Sequence, residues 1–228
     1  VYHVCLDPGH GPNCANRSPD GRYEEQEFAM DLANRIAAIL NRHGVRVSLT
    51  RTEREYPSLN QRCRVANAIP QLSLFVSLHS NAAAGGGWSE AAGHMAYTSC
   101  AGSMEKRNLA AKAILEQWEK AGIPIRGAGL FYHGYGVLTG TKAPAVLLEH
   151  GFHTNRQEAG LLQTPAFRSK LAEADAKGIL AFLGLAWREG AKDRERVKER
   201  FGLAEETLDY LEAYRYGSQL LTKLAEMG

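Results

Sequence analysis

A chain of 228 residues is long enough to bury a substantial core without staples, so a metal in it would serve chemistry rather than folding. Its formal net charge of +2, with acidic and basic residues interleaved, leaves no single-sign field of the kind that marks a nucleic-acid binder. No apolar stretch approaches the roughly 20 residues needed to span a bilayer, and four cysteines without a CxxC pair indicate neither a cysteine zinc site nor a disulfide-rich scaffold.

Val1 to Leu6 is a short β-rich apolar run with Cys5 as core filler. It stops at Asp7-Pro8-Gly9-His10-Gly11, where proline and glycine enforce a tight loop, so a strand is expected to end at a site. The run opens without a charged n-region or apolar h-region, which implies a trimmed leader or exit from the cell by another route. From Glu25, the residues Phe28, Ala29, Leu32, Ala33, Ile36 and Leu40 recur at helical spacing up to Gly44, and Val45 to Leu49 then alternates as a strand. A second helix is expected from about Ser58 to Ala68.

Leu72 to Leu78 is a nearly continuous apolar run, the pattern of a strand buried on both faces, and it ends at His79-Ser80-Asn81. Ala82 to Gly93 reads as a Gly-rich loop, His94 to Thr98 as a strand and Ser103 to Ala121 as a helix. Ala145 to Glu149 is the next strong strand, and a helix from about Ala166 to Leu185 closes the domain. From Gly190 the composition turns to dense alternating charge; Leu203 to Tyr214 and Gln219 to Met227 follow as two short helices broken at Gly217-Ser218.

This order predicts an α/β fold: an open, mostly parallel sheet with helices on both faces, plus a small C-terminal helical appendage. The expected division is a catalytic domain over 1–186 and a helical module over 187–228, which has little core of its own and docks on the main domain, a second copy or a partner. Ligands of such sheets bind beyond the carboxyl ends of the strands. His10, His79 and Glu149 all fall at such ends, and Glu25 opens the helix after the first loop. A catalytic zinc typically takes three His or carboxylate ligands and keeps one position for water, whose pKa it lowers to about 7. His10, Glu25 and His79 supply that set, and Glu149 is placed to carry the proton.

The segments Asp7 to Gly11, Glu25 at a helix start, Ser77 to Ala82, and Pro144 to Phe152 with Asn155 resemble the zinc-dependent N-acetylmuramoyl-L-alanine amidases of the Amidase_3 type. Leu49-Thr50-Arg51, Arg62 with Ala66-Asn67, and Val137-Leu138 add to the likeness, which runs from about Val1 to Leu185. The resemblance implies a zinc ion on His10, Glu25 and His79, a catalytic Glu149, and hydrolysis of the amide between N-acetylmuramic acid and L-alanine in cell-wall peptidoglycan. Glu24 lies one residue from Glu25; the latter is chosen because the apolar pattern from Phe28 then falls where the family's does. Residues Asn13 to Arg22 depart from the family's Gly-rich, aspartate-containing stretch.

Two other readings are a catalytically silent wall-binding or regulatory module and a zinc peptidase acting on ordinary peptides. His150 is expected to point away from Glu149, and His150 and His153 are read as supporting or surface residues rather than ligands. His133, Trp88 and Tyr132 are candidates for substrate contact. Peptidoglycan is thus the expected partner, with no nucleic acid and no membrane span, and a homodimer is one arrangement open to the C-terminal helices. The expected location is extracellular, at the cell wall.

Overall fold

Every strand end singled out above lies in one sheet. A computed structural model of the chain describes residues 1–187, 193–204, 207–208, 211 and 217–227. Its strands are β1 (His3–Pro8), β2 (Arg46–Leu49), β3 (Leu74–Asn81), β4 (His94–Thr98), β5 (Ile125–Tyr132) and β6 (Ala145–Phe152), in the order β2-β1-β3-β6-β4-β5. All neighbours run parallel except β4 and β6, which are antiparallel. This is the open, mostly parallel sheet that alternation of strand and helix requires.

Helices α1 (Glu25–Arg42), α3 (Lys106–Lys120) and α6 (Pro165–Phe182) pack together, with α1 and α3 also set against the strands. They bury Phe28, Leu32, Ile36, Ile114, Trp118, Leu171 and Ile179. Helix α2 (Leu59–Asn67) packs on the short helix α4 (Gly136–Gly140), and Cys63, Ala66, Val137 and Leu138 form a second cluster with Cys5, Phe75, Ala145 and Leu147 of the sheet. The strand residues in that cluster are all odd-numbered, as the two-residue period of a strand demands. Asp7, Ser77, His79 and Glu149 share that parity and so share that face.

Three elements were not expected from sequence. Strand β5 contains Arg126-Gly127-Ala128-Gly129, whose small residues interrupt the apolar alternation, and both glycines take positive φ. Helices α4 and α5 (Arg156–Leu162) are too short to show a helical period.

Contacts divide the chain into two units, Val1–Leu185 and Ala186–Gly228. In the second, helices Asp193–Phe201 and Gly217–Glu226 are described, and Val197, Leu208 and Leu221 are buried with Leu203, Leu211 and Leu224 against them. Gly217-Ser218, expected as a break, is instead the first turn of a helix. The expected Leu203 to Tyr214 helix falls in part on residues 205–206, 209–210 and 212–214, outside the described residues. Among the described residues no helix is long and apolar enough to cross a membrane.

Candidate metal centre

The centre is built where β1, β3 and β6 end side by side. Strands β3 and β6 pair so that His79 lies directly beside Glu149, and β1 and β3 pair Asp7 with Ser77. The turn after β1 carries His10, and α1 brings Glu25 in its first turn. Glu25 is only 1% exposed, although most glutamates stay in water. Its Oε1 accepts from the Ser80 N–H at 3.1 Å and lies 2.9 Å from His79 Nδ1. Its Oε2 lies 3.2 Å from His10 Nε2, is buried, and has no hydrogen bond of good geometry.

Burial alone would raise the Glu25 carboxyl, but His10 and His79 outweigh it and hold the group well below the usual carboxylate range. His79 moves the other way. Burial opposes its charge, yet the Glu25 hydrogen bond and charge, with Glu149 and Asp7 beyond, raise its pKa. Burial pushes Glu149 up to about 8, with His79 opposing the rise and Glu25 adding to it. The Glu149 Oε2 atom is buried and lacks a hydrogen-bond partner.

One donor atom from each of His10, Glu25 and His79 lies within 4.8 Å of the others. Two imidazoles turned on one buried carboxylate, whose second oxygen is orphaned, form a set that a divalent cation satisfies. The set therefore fits a metal ion. Glu24 takes no part in this geometry; its Oε2 accepts from the Gln26 side chain at 3.1 Å. An open cleft of about 820 Å³ is lined by His10, His79 and Glu149, with Tyr56, Leu59, Tyr135, Val137 and Leu147 as apolar walls.

His150 turns to the opposite face, as expected, but it is fully buried and not at the surface. Its Nε2 lies 2.9 Å from Asp175 Oδ2, and Asp175 Oδ1 accepts from Trp118 Nε1 at 2.7 Å. His153 is also buried and packs behind Glu25, with Nδ1 2.9 Å from Ser80 Oγ, which also accepts from the Tyr23 hydroxyl at 2.7 Å. His133 packs against Tyr135 with tilted rings at a centroid distance of 4.2 Å, the Arg156 guanidinium covers Trp88 at 4.4 Å, and Tyr132 is half exposed. Sequence reasoning missed Asp7 and Asp175 as partners of the site's supports. Asp175 lies among alanines with no local sign of its partners, whereas Asp7, ending an apolar strand, carried a readable one.

A His–Glu–His donor set beside a buried carboxyl, at the carboxyl ends of a mostly parallel sheet, is the arrangement of a metallohydrolase. Comparison with known proteins narrows this. The chain belongs to the Amidase_3 family, N-acetylmuramoyl-L-alanine amidase, whose model matches residues 4–181. It is 33% identical over 188 residues to an endolysin of Bacillus phage SPP1, covering 82% of this chain and 68% of the endolysin. It is 27% identical over 198 residues to the germination-specific N-acetylmuramoyl-L-alanine amidase of Bacillus subtilis, covering 78% of each. The catalytic domain of CwlV, an N-acetylmuramoyl-L-alanine amidase of Bacillus (Paenibacillus) polymyxa var. colistinus, superposes with a TM-score of 0.71 at 28% identity, over 82% of this chain and 100% of that domain. The chain is thus an amidase of the peptidoglycan-hydrolysing class.

Proposed function

We propose that this chain cuts the amide bond between N-acetylmuramic acid and L-alanine of the stem peptide with the help of a zinc ion held by His10, Glu25 and His79, while Glu149 moves the proton. The observation that carries the reading is the Glu25 carboxylate, buried between two histidine nitrogens and one strand away from Glu149. Zinc, when bound, acts as a Lewis acid that brings the pKa of water to about 7 and polarises the scissile carbonyl. Glu149 takes the proton of the attacking water and passes it to the leaving amine. In the metal-free protein burial raises this carboxyl above the ordinary carboxylate range, and the positive charge of a bound ion would favour its ionised form, which is the form that accepts the proton of water. The apolar walls of the cleft receive the uncharged parts of the substrate.

We assign this chemistry to residues 1–186 and regard 187–228 as a helical module. A homodimer through that module draws no support from the described residues or from the relatives. The action is at the cell wall, reached by export or by a phage-type lysis route.

Metal analysis joined to product mapping on defined muropeptides tests the proposal. The expected products carry new amino groups and no new reducing ends, and peptides lacking muramic acid stay intact. Glu149→Gln should keep zinc and lose roughly 10²–10⁴-fold in rate. His79→Ala should lose the metal. An active Glu149→Gln enzyme, or cleavage of ordinary peptides, would sink the assignment.

A further inference from the structure

We infer that Arg51 and Arg62 are positioning residues for metal ligation, a buried clamp on the turn that sets where both His10 and His79 stand. The inference rests on the ligand set proposed above. His10 sits at φ 56°, a left-handed conformation uncommon among non-glycine residues, and its surroundings hold it there. The hold is visible in the carbonyls of Pro8, Gly9 and His10. Arg51 donates from Nε to Pro8 O at 2.9 Å and from Nη2 to Gly9 O at 3.0 Å. Arg62 donates from Nη1 to Pro8 O at 2.6 Å and from Nη2 to His10 O. Three successive carbonyls are therefore held by two guanidiniums, each 3% exposed.

The clamp is anchored in turn. Arg62 Nη1 is 2.8 Å from Asp7 Oδ1, and the Asp7 carboxylate also accepts from Thr50 Oγ1 and Ser77 Oγ. Arg51 reaches across to α1, donating to Gln26 O at 3.0 Å beside Glu25. The clamp thereby links the β1 turn to the helix that carries the third ligand.

The turn also governs His79. A Cβ on Gly9 would fall 2.4 Å from His79 Cε1, so the Gly9 backbone lies directly against the imidazole. The His10 and His79 rings meet edge to face, 5.0 Å apart. Burying two neighbouring cations against one carboxylate is costly, and a turn that needed only to be closed would be served by neutral donors. Guanidinium is the group whose fixed fork holds two carbonyls at once; an ammonium keeps the charge and loses the fork.

Arg62→Lys and Arg51→Lys separate these contributions in the full chain. Zinc is removed and returned in competition with a chelator, cobalt is substituted to read the ligand geometry by its absorption bands, and melting is followed without metal. Each variant is expected to bind zinc roughly 10–100-fold more weakly than the parent and to show altered cobalt bands, and Arg51→Lys, which lies outside the cleft lining, should leave KM for a soluble muropeptide unchanged at saturating zinc. A role in stability alone would lower the melting temperature and leave zinc affinity and cobalt bands at parental values, and that result in both variants overturns the clamp. Arg51→Lys, whose bonds go to backbone carbonyls, decides the question if Arg62→Lys does not fold. Parental zinc affinity in His79→Ala would instead overturn the ligand assignment, and the clamp with it.

Discussion

Glu149 keeps one carboxylate oxygen buried and unpartnered, and that position has a thermodynamic signature in the metal-free protein. Its folded pKa, pushed up to about 8, exceeds the ordinary carboxyl value of about 4.3 that it regains on unfolding. The folded state therefore binds the proton more tightly. The stability this contributes is fully present below the unfolded value and is lost as pH rises through the folded one. Metal-free Glu149→Gln, which has no proton to lose, should melt with a flatter pH profile than the parent between about pH 5 and 8, gaining on it as pH rises until the difference levels off above the folded pKa. Parallel profiles would show that Glu149 is not held protonated by burial. The residue was legible in sequence because an acid after four apolar strand positions is costly to bury without a task. Glu25 and Glu24 were not separable in that way: only tertiary burial shows one between two histidines and the other bonded to Gln26.

At the scale of elements, parity along three parallel strands brings the site together. One residue of slip in β6 would exchange Glu149 for His150 on the cleft face and bury the carboxyl against Asp175. Apolar runs ending in His79 and Glu149 made both strands readable, whereas β5 was hidden because Gly127 and Gly129 carry no apolar side chain to mark a face. Helix packing was legible only as amphipathic faces, and the depth of one contact was not. A Cβ on Gly178 of α6 would lie 2.4 Å from Ile114 Cα of α3, closer than real Cβ contacts reach. Alanine there gains about 1 kcal/mol in helix propensity, but forcing apart two packed helices costs typically 1–3 kcal/mol or more. Gly178→Ala should accordingly lower the midpoint of urea unfolding. A raised midpoint would mean that α3 and α6 separate easily and that propensity wins.

At the scale of the molecule, the family match over residues 4–181 lies within the first unit, Val1–Leu185, which also holds His10, Glu25, His79 and Glu149. The order of chemistry along the chain could be read from motifs, but their convergence depends on the strand order, which places β1, β3 and β6 as neighbours though long segments separate them in sequence. Strand order is set by the packing of whole helices on the sheet, and no local pattern encodes it. The second unit has a different physical standing. Its buried apolar residues among those described are Val197, Leu208 and Leu221, and a unit this short removes too little surface from water to offset its chain entropy by a wide margin. A chain ending at Leu185 should melt cooperatively and cleave a soluble muropeptide within about twofold of the parental rate, about 0.4 kcal/mol in barrier, since His10, Glu25, His79 and Glu149 all lie in the unit it keeps. The excised segment 186–228 should show little helical circular dichroism. If the shortened chain folds yet cannot cleave the soluble substrate, residues beyond Leu185 take part in the chemistry, and the division of labour proposed between the two units is wrong.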